Sequence, residues 1–193
     1  MDWVSQTDHF DVLISGDTVR DRCCELGEEI SNYYGEESLI AVGILRGCFM
    51  FYGELLRCLK CPTASDFMFV SSYGNAMKSS GSVKIERDLE MDITGSHVLL
   101  IDDIVDTGQT LSNLREMLKV RKPKSVEICT MLNKTAHRVT DVDVKFKAFD
   151  IDNHFVVGFG LDYRQQFRNM DFIGKLKEGR QPLLDQYVDR LNT

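Results

Sequence analysis

The stretch VLLIDDIVDTGQTL, residues 98–111, holds the densest set of reactive side chains in this sequence. Four apolar residues lead into adjacent Asp102 and Asp103. Asp106 follows, and Thr107, Gly108, Gln109 and Thr110 then open a helix-like segment. In open α/β sheets, ligands bind beyond the carboxyl ends of the strands, so this strand delivers its carboxylates to a ligand. The turn after it offers backbone N–H groups, two hydroxyls and a glycine at a helix N-terminus, which are the parts of a phosphate cradle. Carboxylates repel phosphate, so the acids must face something else. Sugar hydroxyls suit them as donors, and Mg²⁺ suits them because it takes hard oxygen ligands. Phosphate, sugar and metal in one loop imply a phosphorylated sugar. Ending a strand and capping a helix would employ a single aspartate. Three acids at 102, 103 and 106 exceed that need, because carboxylates buried without partners are costly.

A loop of this kind needs a sheet to carry it, and the rest of the chain supplies one. Apolar positions at Val19, Cys23, Leu26, Ile30 and Tyr33 follow helical spacing and predict a helix from Asp17, its expected N-cap, to about Tyr34. SLIAVGIL (38–45) is a continuous β-prone run, as in a strand covered on both faces. A helix from about Cys48 to Lys60 should stop before Pro62, and DFMFVSSY (66–73) reads as the next strand. HVLLIDD (97–103) and SVEICTML (125–132) are further strands. Between them lies a helix from Gly108 to Val120, with Leu111, Leu114 and Leu118 on one stripe. This alternation predicts an α/β fold with a mostly parallel sheet flanked by helices. After residue 140 the rhythm changes to short strand-like pieces, VKFKAFDI and FVVGFGL, which suit a small subdomain or flap. The small, polar residues 74–82 read as a loop, either an exposed hairpin or a lid over a site.

Composition narrows the function classes. The chain has 193 residues, 43% apolar and 27% charged, with three prolines. At this length roughly 70% of the unfolded surface can be buried, so a single domain with a full core is expected. Thirty acids against 23 bases give a formal charge of -7, which disfavours a nucleic-acid partner. The N-terminal MDWVSQTDHF carries no Lys or Arg and precedes no long apolar run, so no signal peptide is expected. LIAVGIL (39–45) and GCFMFYG (47–53) fall far short of the ~20 residues that span a bilayer. A cytoplasmic protein with no membrane partner is the expectation. Its six cysteines should then be reduced thiols. Cys58 and Cys61 form a lone CxxC, open to reading as half a zinc site or a redox pair, but no second half completes a tetrahedron.

The 98–111 stretch resembles the phosphoribosyl-pyrophosphate (PRPP) motif of the type I phosphoribosyltransferases. Three further segments resemble the hypoxanthine-guanine branch of that family: ILRGCFMF (44–51), Ser72-Tyr73 with the loop after it, and NHFVVGFGLDYRQQFR (153–168), with Lys134 in MLNKT upstream. The matches run in the family's order from about residue 10 to 175. The resemblance implies the type I fold, with a core over about 35–140 and a hood built from the N-terminal segment and about 141–193. It also implies a homodimer or homotetramer.

Carried over residue by residue, the resemblance assigns Asp106, Thr107, Gly108, Gln109 and Thr110 to the 5′-phosphate, with Asp106 also accepting a proton at purine N7. Asp102 and Asp103 face the ribose hydroxyls and, through them or directly, Mg²⁺, and Asp162 serves a second metal. Lys134 donates to the purine 6-oxo group, Phe155 stacks on the base, and the Val156 backbone meets its far edge. Arg168 and the Arg46-Gly47 backbone take pyrophosphate, with a cis peptide at Leu45-Arg46, and Ser72 and Tyr73 belong to the lid. Two positions depart from the common pattern: Arg46 stands where many members have Lys, and Asp102 where many have Glu. The implied activity is purine salvage, forming IMP and GMP from PRPP and a 6-oxopurine. Two alternatives share the scaffold: a PRPP-binding regulator that binds RNA, and an enzyme whose main acceptor is xanthine.

Overall fold

Strands with no polar face must be covered on both sides, and LIAVGIL builds the sheet interior for that reason. The computed structural model describes residues 8–72 and 83–191, and Tyr73 and the 74–82 loop lie outside them. In chain order the elements are β1 (Phe10–Ser15), α1 (Gly16–Tyr34), β2 (Leu39–Leu45), α2 (Phe49–Cys58), β3 (Thr63–Ser72), β4 (Val83–Arg87) and β5 (His97–Val105). They continue with α3 (Gln109–Lys119), β6 (Ser125–Lys134), β7 (Phe146–Ile151), β8 (Val156–Val157), β9 (Phe172–Leu176) and α4 (Gln181–Leu191). The chain divides into a larger unit, residues 22–153, and a smaller one drawn from 1–21 and 154–193. Among the described residues, no helix is long and apolar enough to cross a membrane.

The larger unit holds a six-stranded sheet in the order β4-β3-β2-β5-β6-β7. All neighbouring pairs are parallel except β3 with β4. Ile40, Val42 and Ile44 of β2 and Val98 and Leu100 of β5 pack with Leu111, Leu114 and Leu118, the predicted stripe of α3. Truncating one of these leucines to alanine typically costs about 2–5 kcal/mol, so the stripe anchors the helix whose first turn carries the site.

The structure alters several expectations. β5, expected over 97–103, continues two residues further to Val105, so Asp102 and Asp103 are not its last residues. Its pairing with β2 ends at Gly43↔Ile101, whereas its pairing with β6 runs on to Val105↔Asn133. The acids therefore occupy the stretch where β5 has lost one neighbour. VKFKAFDI does not belong to a flap: β7 pairs in parallel with β6 and closes the sheet, so the division falls after Asn153 and not near residue 140. On α1, Tyr34 is buried and Tyr33 is half-exposed, because a 3.6-residue period has drifted past position 33 by the fifth turn. Ser15, not Asp17, caps α1, its Oγ accepting the Thr18 N–H at 3.2 Å. Asp17 pairs with Arg20 in the first turn.

The smaller unit holds a three-stranded antiparallel sheet, β1-β9-β8, and α4. Phe10, Val157, Phe167, Met170, Leu184 and Val188 form its core.

Candidate functional site

At the carboxyl end of β5 the chain makes a tight turn into α3. Gly108 is the N-cap of α3 in the left-handed region, φ 80°, and has no side chain to cap the helix, while Thr107 Oγ1 makes a long 3.4 Å contact with the Gln109 N–H. The first turn of α3 contains no acid. Its N-terminal N–H groups and dipole therefore favour an anion. Asp102, Ile104, Val105, Asp106, Thr107, Gly108, Thr110 and Leu111 line an open cavity of about 140 Å³ here. One oxygen of Asp106, Oδ1, is buried and has no hydrogen-bond partner among the described residues. Such an orphaned acceptor costs about 1–3 kcal/mol, so its retention argues for a donor brought by a ligand.

The turn is held from behind. The Thr107 carbonyl accepts N–H groups from both Val139 and Thr140 at 3.0 Å. A Cβ on Gly108 would stand 2.5 Å from the Thr140 carbonyl oxygen and 2.9 Å from Arg138 Cδ. Arg138 also donates to the Lys134 carbonyl at 2.9 Å and to Asn133 Oδ1 at 2.6 Å. Asn133 in turn donates to Asp150 of β7 at 2.7 Å. Sequence reasoning missed Arg138 and the 139–142 buttress. Nothing in their spacing marks them, because their role rests on contacts that only the folded chain creates.

Lys134 ends β6 and is 8% exposed, although in isolation it reads as a surface lysine. Its ammonium makes no hydrogen bond or ion pair among the described residues. A lysine this covered is rare without a partner, so its three donors are available to an acceptor from outside.

The β2–α2 turn comes against the acidic pair. The Leu45–Arg46 peptide is cis, and the Arg46 guanidinium lies over the Phe69 ring, 5.2 Å from its centroid. A Cβ on Gly47 would collide with the Asp103 carboxylate, which would have to turn away to make room for it. Asp103 Oδ1 also accepts the Ile104 N–H at 2.9 Å. Ser72 ends β3.

Burial pushes the Asp102 carboxyl well above the usual carboxylate range, and the neighbouring Asp103 charge adds to it. A divalent cation or a set of hydroxyl donors would relieve the repulsion between the two carboxyls. Among the described residues no three metal-ligating side chains converge. Mg²⁺ commonly needs only one or two carboxylates beside substrate oxygens and waters, so the pair fits that ion in charge and donor type.

The raised carboxyl has a measurable consequence. The folded protein holds this proton more tightly than the unfolded chain. Its contribution to stability is therefore present below the ordinary carboxylate range and is lost as pH rises through the folded-state value. Asp102→Asn removes that titration while keeping the Oδ1 acceptor that takes the Asp103 N–H at 3.0 Å. In ligand-free protein the variant should melt higher than the parent at neutral pH, with a flatter pH profile. Calorimetry showing a lower melting temperature at pH 7 would contradict the assignment.

The smaller unit carries the remaining predicted residues. Phe155 is 50% exposed, unusual for a phenylalanine beside a buried strand, and meets Tyr163 edge-on at 5.5 Å. Val156 is buried in β8. Asp162 and Arg168, assigned to metal and to pyrophosphate, are paired with each other at 2.7 Å. Asp162 Oδ2 also accepts the Gln165 N–H, and Arg168 donates to the Gly160 carbonyl at 2.7 Å.

Comparison with known proteins identifies the family of the chain. Residues 15–164 match the model of the phosphoribosyl transferase domain. The chain is 45% identical over 171 residues to the hypoxanthine phosphoribosyltransferase of Haemophilus influenzae, covering 87% of this chain and 96% of that protein. It is 44% identical to the hypoxanthine-guanine phosphoribosyltransferase of Streptococcus pneumoniae, covering 86% and 93%. The crystal structure of a hypoxanthine phosphoribosyltransferase from Staphylococcus aureus superposes with a TM-score of 0.87 at 40% identity, covering 92% of this chain and 96% of that one. The chain therefore belongs to the phosphoribosyl transferase family.

Proposed function

We propose that this chain transfers the 5-phosphoribosyl group of PRPP to hypoxanthine and guanine, releasing pyrophosphate and forming IMP and GMP in purine salvage. The observation that carries the reading is the buried, partnerless Asp106 oxygen at the opening of an acid-free helix N-terminus. An anion cradle and a proton acceptor side by side suit a substrate whose phosphate docks while a neighbouring base gives up a proton.

In the proposed reaction, N9 of the purine attacks ribose C1 as the C1–pyrophosphate bond breaks, with inversion at that carbon. Thr107, Gly108, Gln109 and Thr110 hold the 5′-phosphate through backbone N–H groups and hydroxyls. Asp102 and Asp103 accept from the ribose hydroxyls and stabilise the positive charge that develops on the sugar. Asp106 takes the proton that the 6-oxopurine must lose, at N7. Lys134 donates to the 6-oxo group, a choice that disfavours the 6-amino group of adenine. Asp102 and Asp103 would hold Mg²⁺ together with PRPP, and the ion would supply charge neutralisation for the departing pyrophosphate. The resemblance further assigns Phe155 and Val156 to the base, Asp162 to a second metal, and Arg168, Arg46 and Gly47 to pyrophosphate. A cytoplasmic homodimer or homotetramer completes the proposal.

PRPP and Mg²⁺ supplied with hypoxanthine, guanine, xanthine, adenine or orotate in turn test the substrate class. IMP formation, with GMP beside it and little or no AMP, is the expected result. Turnover of adenine at a comparable or higher rate would overturn the 6-oxopurine assignment.

A further inference from the structure

Away from the cradle, α1 and the end of α2 meet along a stripe that neither the sheet nor the phosphate turn requires. Cys24, Gly27, Glu28 and Ser31 fall on one face of α1. A Cβ on Gly27 would stand 2.6 Å from Cys58 Cβ, so the two segments touch backbone to side chain. Ser31 Oγ donates to the Gly27 carbonyl at 2.6 Å and accepts the Lys60 N–H at 2.8 Å. Glu28 pairs with the Lys60 ammonium at 2.7 Å. These contacts hold the register at which Cys24 Sγ and Cys58 Sγ stand 2.9 Å apart, both as free thiols. Cys58 is thus directed to Cys24 and not to Cys61, its CxxC neighbour, which is buried with its sulfur 3.6 Å from Thr63 Oγ1.

We propose that Cys24 and Cys58 are a redox modification site, closing to a reversible intramolecular disulfide with a small-molecule disulfide as the oxidant. The two sulfurs need to approach by less than an ångström to reach the bonded separation of about 2.05 Å. Cys24 is exposed and meets the oxidant first, whereas Cys23, Cys48, Cys61 and Cys129 are buried. Its thiolate attacks one sulfur of the oxidant, forming a mixed disulfide and expelling one thiolate. Burial pushes the Cys58 thiol up to about 11, which makes it a poor attacker in solution but leaves it beside its target. After losing its proton to solvent, Cys58 attacks the Cys24 sulfur and expels the second thiolate. Two protein thiols lose two electrons and two protons, and the oxidant becomes two thiols. The cross-link fixes the far end of α2, the helix that follows Arg46-Gly47, onto α1.

The full chain, incubated with oxidised glutathione and then alkylated, tests the proposal by mass spectrometry. The expected product has lost two hydrogens, yields a peptide joining Cys24 to Cys58 on digestion, and returns to the thiol form with dithiothreitol. Either C24S or C58S abolishes it, and C61S leaves it intact. Because the bond closes a loop between residues 24 and 58, the oxidised protein should also melt higher, by roughly 5–10 °C. A Cys58–Cys61 link, a link between two chains, a glutathione adduct that persists on Cys24, or a lower melting temperature would each overturn it.

Discussion

Asp106→Asn is expected to lower kcat by about 10²–10⁴-fold while the KM for PRPP changes by less than about tenfold. Asparagine keeps the size of the side chain and one acceptor oxygen. It loses the negative charge and the capacity to take a proton. The barrier should therefore rise by about 3–5 kcal/mol, the usual worth of general acid–base assistance. The orphaned Oδ1 makes this variant informative. In the parent that oxygen is buried with no partner among the described residues, so replacement disrupts no internal hydrogen bond at that atom and should leave the fold intact. A steady-state assay at saturating hypoxanthine separates the two parameters. Near-normal kcat with a greatly raised KM for PRPP would make Asp106 an organiser of the phosphate turn and would remove it from the chemistry.

The chemistry of this chain was legible where it is local. A strand, its acids, a glycine turn and a helix start occupy consecutive residues, so their types and order alone define the cradle. Elements whose character depends on distant neighbours read less well. VKFKAFDI reads as part of a small subdomain or flap because after residue 140 the rhythm changes to short strand-like pieces. It is an edge strand, bordered by β6 alone and buried chiefly at Phe146, and an edge strand does not need the two-sided apolar pattern of β2. The continuation of β5 beyond Asp103, through Ile104 to Val105, is not legible because charged residues normally end a buried strand. Here β6 continues to pair while β2 departs, which leaves the carboxylates a side free of backbone. β1, β4, β9 and α4 drew no assignment at all. Arg138, and the meeting of Cys24 with Cys58, arise only from tertiary proximity.

Gly108→Ala should raise the KM for PRPP by at least about 100-fold and lower the melting temperature by roughly 5–15 °C, from two separable causes. The first is conformational: at φ 80° a residue with a Cβ incurs about 1–2 kcal/mol. The second is contact: the new methyl would lie 2.5 Å from the Thr140 carbonyl oxygen and 2.9 Å from Arg138 Cδ and Val142 Cγ1. Arg138 Cδ belongs to a long side chain and can yield, but the Thr140 oxygen is backbone. Its residue is tied to the turn through the N–H that Thr140 donates to the Thr107 carbonyl. Relief therefore requires Thr107–Gly108 to move, and with them the N–H groups proposed to hold the 5′-phosphate. Gly35 supplies the control, since it too has positive φ, 60°, yet a Cβ there meets nothing within 4 Å. Gly35→Ala should lose a few degrees of melting temperature and leave the KM unchanged. If Gly108→Ala matches Gly35→Ala in both measurements, the close approach behind the turn has no part in shaping the cradle, and the anion-binding role of this helix start must be withdrawn.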